Sequence, residues 1–231
     1  MNKLIEDSID KIKLLHNIYI KNKYFIKKKS YSMEGEDLII SEIFKNIRNG
    51  LYVDAGSYHP LHLNNTYLLY KKGWQGINID LSEYTIKLFN YLRPNDVNIN
   101  SAVTNFDGQV KFYYQKKLSQ LTSIKKKTAL KRMQGKIKEK EIKALKLDTI
   151  MNNSKFKNKK IDFLNIDIEG GDYEALCSLN FDIYKPKVIC IEIDEKNILE
   201  SNIYKYLINL NYKKIWSSIS NLSHIFSNSE D

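Results

Sequence analysis

The chain has 231 residues, 42% of them hydrophobic and 28% charged, with a formal net charge of +10. That length suits one well-buried domain with appendages. No run approaches the roughly 18 to 20 apolar residues of a membrane span, and the polar start (Asn2, Lys3, Glu6, Asp7, Asp10) lacks the apolar core of a signal peptide, so the expected location is the cytoplasm.

Leu4, Ile5, Ile9, Ile12, Leu15, Ile18 and Tyr19 recur at spacings near three and four, which predicts an amphipathic helix over residues 3–20 for docking or oligomer contact. Lys21 to Lys29 follows as a basic connector, so residues 1–30 form an N-terminal segment ahead of a main domain at 31–231. A second helix, led by the acids of Glu34-Gly35-Glu36-Asp37, covers Leu38 to Phe44 and stops at Asn49-Gly50.

Strands and helices then alternate. Strands are expected at Leu51 to Asp54, within Trp74 to Asp80, and at Val97 to Val103; helices fall at Asn65 to Lys72, closed by Gly73, and at Glu83 to Arg93, ended by Pro94. Phe112 to Gln115 reads as a short strand after the Asp107-Gly108 turn. Strand Phe163 to Asp167, helix Asp172 to Leu179, the near-continuous apolar strand Lys187 to Ile193 and helix Ile203 to Leu210 follow. Lys213 to Ser217 and Leu222 to Phe226 make a terminal strand pair. The alternation predicts an α/β fold with a parallel sheet covered by helices on both faces. Cys177 and Cys190 have no partner at metal-ligand spacing and read as buried thiols.

The charge is concentrated. Residues 116–143 hold eleven basic residues against Glu139 and Glu141, a net of +9 that leaves +1 for the rest of the chain. Helical content is expected between Lys125 and Lys143, as a cationic helical insertion that attracts phosphate-rich partners.

Three constellations carry chemistry. Val53-Asp54-Ala55-Gly56-Ser57 ends a strand in an acid and a glycine turn, as in a nucleoside-binding βαβ unit. Tyr58 and His59 stand where a dinucleotide fingerprint has further glycines, which disfavours NAD or FAD and favours a smaller adenosine cofactor such as S-adenosylmethionine. Asp80 ends the next strand, where its carboxylate can accept two hydrogen bonds from a ribose diol or cap the following helix, and Leu81, Ser101 and Ala102 border the same place. Asn165-Ile166-Asp167-Ile168-Glu169-Gly170 puts two acids beyond the carboxyl end of a third strand, with Glu192 ending its neighbour; they can serve as general base, hold a divalent cation, or bind an ammonium group.

Glu34-Gly35-Glu36-Asp37, Val53-Asp54-Ala55-Gly56, Asn65-Thr66-Tyr67 with Gly73-Trp74-Gln75-Gly76, Asn78-Ile79-Asp80, Leu147-Asp148-Thr149-Ile150, Asp162 through Gly170 and Val188 to Glu192 together resemble the FkbM family of S-adenosylmethionine-dependent methyltransferases, over roughly residues 31 to 227. The resemblance implies a class I methyltransferase (Rossmann-like) fold with seven strands, the last antiparallel, and O-methylation of sugars in bacterial surface glycans (lipopolysaccharide or capsule) or of secondary metabolites. Ser57 stands where similar sequences often have Asn, and Gly170-Gly171-Asp172 where the family more often has a Gly-Ala-Glu run.

Methyl transfer to a hydroxyl needs that oxygen held near the methyl carbon and relieved of its proton. The candidate bases are Asp167, Glu169 and the loop histidines His59 and His62; a magnesium ion, if used, would take Asp167 with Glu192 or Glu169. Candidate cofactor contacts are Asp54, Ala55, Gly56, Ser57, Asp80, Leu81, Ser101, Ala102 and Asp167. The expected acceptor is a small molecule or glycan, phosphate-bearing or lipid-linked, with the basic segment as a lid or a docking surface at the inner face of a membrane. The alternatives are a nucleic-acid methyltransferase, served by that basic segment but lacking an Asn- or Asp-Pro-Pro-aromatic motif, and a non-catalytic binding module on the same fold.

Overall fold

The structure, a computed structural model, describes residues 3–228, and of residues 3–6 the backbone alone. Helix α1 (Lys3–Leu15) runs into a wider π-helical stretch at His16–Lys21, and α2 spans Glu36–Ile43. The central run is β1 (Leu51–Ala55), α3 (Tyr67–Lys71), β2 (Gln75–Asp80), α4 (Glu83–Leu92), β3 (Val97–Asn100), β4 (Ala102–Val103) and β5 (Gly108–Tyr114). Then come α5 (Lys126–Arg132), β6 (Lys138–Leu145), α6 (Leu147–Asn152), β7 (Phe163–Ile166), α7 (Asp172–Cys177), α8 (Phe181–Tyr184), β8 (Val188–Glu192), α9 (Asn202–Asn209), β9 (Tyr212–Ser217) and β10 (Ser223–Asn228).

Seven strands form one sheet in the order β3-β2-β1-β7-β8-β10-β9, parallel except that β10 runs against both β8 and β9. This is the expected class I methyltransferase architecture, with the antiparallel strand last in the chain. Period-two alternation sorts each central strand between two helical layers. Leu51, Val53 and Ala55 of β1 pack with α6 to α9 through Met151, Leu176, Phe181 and Leu207, while Tyr52 on the opposite face packs with α2 and α3 through Ile40, Phe44 and Leu69. Chain order reverses beside β1, between β2 and β7, which opens a crevice at the carboxyl ends of these three strands.

Three expectations are corrected. The strand read as Val97 to Val103 breaks at Ser101, whose hydroxyl donates to the Lys143 carbonyl at 2.9 Å; Ala102 and Val103 instead pair with Ala144 and Leu145 in a separate sheet of order β4-β6-β5. The second half of the basic segment is a strand, not a helix. Gly135, at φ +88°, separates it from α5, and Lys138–Leu145 pairs antiparallel with Gly108–Tyr114, with Lys111 Nζ 2.9 Å from Glu139. Helix propensity in a run of Lys and Glu is worth only tenths of a kcal/mol per residue, and a full cross-strand ladder outweighs it. Of the two cysteines, Cys190 is buried in β8 but Cys177 is exposed.

Candidate functional site

One residue short of the crevice, a row of polar side chains crosses the apolar sheet. Asn98, Asn78, Asp54, Asn165 and Cys190 are register neighbours on β3, β2, β1, β7 and β8. Asp54 is fully buried and saturated: it accepts from Asn165 Nδ2 at 2.9 Å, Thr66 Oγ1 at 3.1 Å and Asn64 Nδ2 at 3.3 Å. Burial pushes its pKa up, opposed by those donors and by the Arg93 guanidinium. Arg93, also fully buried, donates to Thr66 Oγ1 and Asn64 Oδ1, each at 2.8 Å, and to the Pro60 carbonyl, and its charge lies over the rings of Tyr67, Tyr70 and Phe89. The network stiffens the loop from Gly56 to Thr66 from beneath.

Above that row, Gly56 makes the turn out of β1 at φ +84°. A Cβ here would overlap the Asp167 carbonyl oxygen, so the glycine is required by the close approach of the chain after β7. Gly56, Tyr58, Ile79, Asp80, Leu81, Ser101, Ala102, Val103, Asp167, Ile168 and Glu169 line a pocket that Ser119, Gln120, Thr122 and Ile124 of the basic insertion also line. Asp80 is fixed by two backbone donors, Ser82 N–H at 2.7 Å on Oδ1 and Tyr58 N–H at 3.0 Å on Oδ2, and burial raises its pKa to about 6. The helix cap itself is Ser82, which accepts from Thr85 N–H. Asp80 itself lines the pocket.

Carboxylates gather on the β7 and β8 side. Asp167 opens to solvent, yet so much protein surrounds its carboxyl that desolvation, then Glu192, Asp172 and Asp54, raise its pKa well above the usual range. Asp172 accepts from the Ile168 and Gly170 amides, both at 2.9 Å, so it ties back the turn after β7, and burial lifts its pKa to about 7. Glu169 sits at φ +58°, a conformation uncommon for a non-glycine residue, held by Ser123 Oγ on its carbonyl at 2.9 Å. Its carboxylate meets Arg132 of α5, which also reaches Asp194 at 3.2 Å and Glu192 at 3.4 Å. Glu192 itself is pushed up by burial and drawn back by that arginine.

Of the residues expected from sequence, Gly56, Asp80, Leu81, Ser101, Ala102, Asp167 and Glu169 come together around one pocket. Asp54, Ala55 and Ser57 do not line it: Asp54 and Ser57 face inward, and Ala55 is a buried strand residue whose carbonyl accepts from Asp167 N–H. His59 is corrected outright. It is fully buried, its Nδ1 accepts from Leu61 N–H at 3.2 Å, its Nε2 donates to Asn17 Oδ1 at 2.8 Å, and burial lowers its pKa to about 3, so it staples the π-helical stretch to the loop after β1 and has no free nitrogen for a base. Among the described residues no group of three His, Cys, Asp or Glu is arranged to hold a metal ion, and Arg132 stands among the acids a cation would use, so the magnesium expectation is not carried further. Arg93 and Arg132 were missed. The usable signal was their rarity, for only Arg48, Arg93 and Arg132 are arginines among 37 basic residues, and a guanidinium is retained where a rigid fork of donors matters.

A family model described as "Methyltransferase FkbM domain" matches residues 54–214. The chain also resembles the crystal structure of a "putative RNA methyltransferase" from Pyrococcus horikoshii, with 10% identity, a TM-score of 0.43 and coverage of 84% of this chain and 83% of that one. No curated protein matches.

Proposed function

Because the chain belongs to the FkbM methyltransferase family, we propose that it is an S-adenosylmethionine-dependent O-methyltransferase acting on a sugar hydroxyl of a bacterial surface glycan or related glycoconjugate. The observation that carries this reading is the pair Asp80 and Asp167, which flank Gly56 from the neighbouring strands and share one pocket. The residues suit an adenosine: Asp80 offers lone pairs to a ribose diol, and Leu81, Ala102, Val103 and Ile124 offer apolar walls to a flat ring. When bound, the sulfonium supplies an electrophilic methyl group.

Everything else falls to the chain. Asp167, at the carboxyl end of β7 and lining the pocket, takes the proton of the acceptor hydroxyl, and Glu169 and Glu192, clamped by Arg132, orient the acceptor. Glu169 lines this pocket, and Asp172, Glu174, Glu192, Asp194 and Glu195 line a neighbouring cavity together with Lys125 and Arg132. The carboxylates outnumber the two cations of that cavity, Lys125 and Arg132, which disfavours a phosphodiester backbone and favours an uncharged sugar ring at the reacting end. A phosphate or lipid-linked portion of the acceptor would meet the lysines of the insertion instead.

Titration calorimetry with S-adenosylhomocysteine tests the cofactor half: binding should be measurable and about 100-fold weaker in Asp80→Ala, the loss of roughly two hydrogen bonds to a charged group. Unchanged affinity would sink the ribose assignment. Radiolabelled methyl transfer offered lipopolysaccharide, capsule and total RNA in parallel tests the acceptor half, and label in RNA alone would overturn it.

A further inference from the structure

From Lys11 to Met33 the chain carries seven lysines and no acid. Within this stretch Ile20 is 62% exposed, Phe25 71% and Ile26 45%, with Lys21, Lys23, Lys27 and Lys29 exposed beside them. The turn that presents them is pinned from below. Asn22 donates through Nδ2 to the Asn17 carbonyl at 2.8 Å and to Asn17 Oδ1 at 2.9 Å, and both asparagines are buried against His59. Tyr24 N–H reaches the Ile18 carbonyl at 3.1 Å, Ile26 N–H the Lys23 carbonyl at 2.8 Å, and Lys23 takes φ +50°. Buried polar anchors thus hold three large apolar side chains out in water, where they have nothing to pack on.

We propose that residues 20–29 are a membrane-surface anchor for an anionic phospholipid bilayer, with Phe25, Ile26 and Ile20 entering the boundary between headgroups and acyl chains while the surrounding lysines meet lipid phosphates. A lipid surface satisfies both halves of the patch at once. A second copy of this chain would set seven lysines against seven, and a nucleic acid would answer the lysines but give the isoleucines nothing. The second basic stretch meets the helical segment that leads into the anchor, for Lys116, Lys117 and Leu118 line one cavity with Asp10, Ile12, Lys13 and His16. None of the described helices is long and apolar enough to cross a membrane, so the contact is peripheral.

The anchor is independent of methyl transfer and is tested without an acceptor. The full chain should co-sediment with vesicles of phosphatidylcholine plus phosphatidylglycerol and not with phosphatidylcholine alone. Phe25→Ser with Ile26→Ser, and separately Lys27, Lys28 and Lys29→Gln, should each weaken binding at least about tenfold. S-adenosylhomocysteine affinity and melting temperature should stay unchanged in both. In Phe25→Trp, emission should move to the blue on adding the anionic vesicles. No vesicle binding overturns the proposal, as does binding indifferent to both variants, or a dimer that Phe25→Ser dissolves. RNA binding lost in the lysine variant but kept in Phe25→Ser, without the blue shift, overturns it in favour of nucleic acid.

Discussion

Gly56 and Asp54 are two residues apart, but Asp54 lies within β1 while Gly56 has already left it in a left-handed turn. Asp54 faces the polar row, Gly56 passes under the Asp167 carbonyl, and a methyl group at Gly56 has nowhere to go. Gly56→Ala should therefore lower unfolding free energy by about 2 kcal/mol or more, combining left-handed strain with a backbone clash, as read from urea denaturation. A glycine after an acid is visible in sequence; which of the two touches ligand is not, because that depends on where β1 ends and the turn begins. His59 shows the same limit. Its folded pKa of about 3 lies below the ordinary value of 6.5, so the neutral form is favoured on folding. Stability should be full above pH 6.5 and fall as pH drops from there toward 3, where the unfolded chain alone binds the proton. His59→Gln should remove this part of the acid sensitivity in melts across that window. Asp80 works through binding: its carboxyl must be ionised to accept a diol, so S-adenosylhomocysteine affinity should rise about tenfold per pH unit up to its pKa of about 6 and then level off. Asp80→Asn should bind weakly with no such slope.

Among elements, the basic insertion departs furthest from expectation. Its charge was obvious and its secondary structure was not, since the Lys and Glu of Lys138 to Lys143 are helix formers in isolation and become strand only by pairing with β5. In the fold it roofs the pocket with Ser119 to Ile124 and latches through Arg132 onto acids that follow β7 and end or follow β8. Arg132→Gln leaves Glu169 and Glu192 partly buried without their cation. Stopped-flow release of S-adenosylhomocysteine from this variant should be faster by about tenfold, with acceptor KM raised and melting temperature lowered, if the latch holds the roof; an unaltered release rate would mean that Arg132 tunes the acids alone.

At the scale of the molecule, the sheet was legible because its strands are short apolar runs separated by helical spacings, and the right-handed crossover rule leaves few orders for such a chain. The polar row from Asn98 to Cys190 was not, since its members are far apart in sequence and each looks like an isolated polar residue at a strand end. Ser101 decides one matter for the whole. There the chain leaves the large sheet, and it returns where Ala102 and Val103 pair with Ala144 and Leu145, so everything between sets out and comes home at one doorstep. Such a segment can be lengthened, shortened or replaced as a cassette while the register of the seven central strands is untouched. A lineage of these proteins can thus rebuild the roof over the pocket while the strands beneath it keep their pairing.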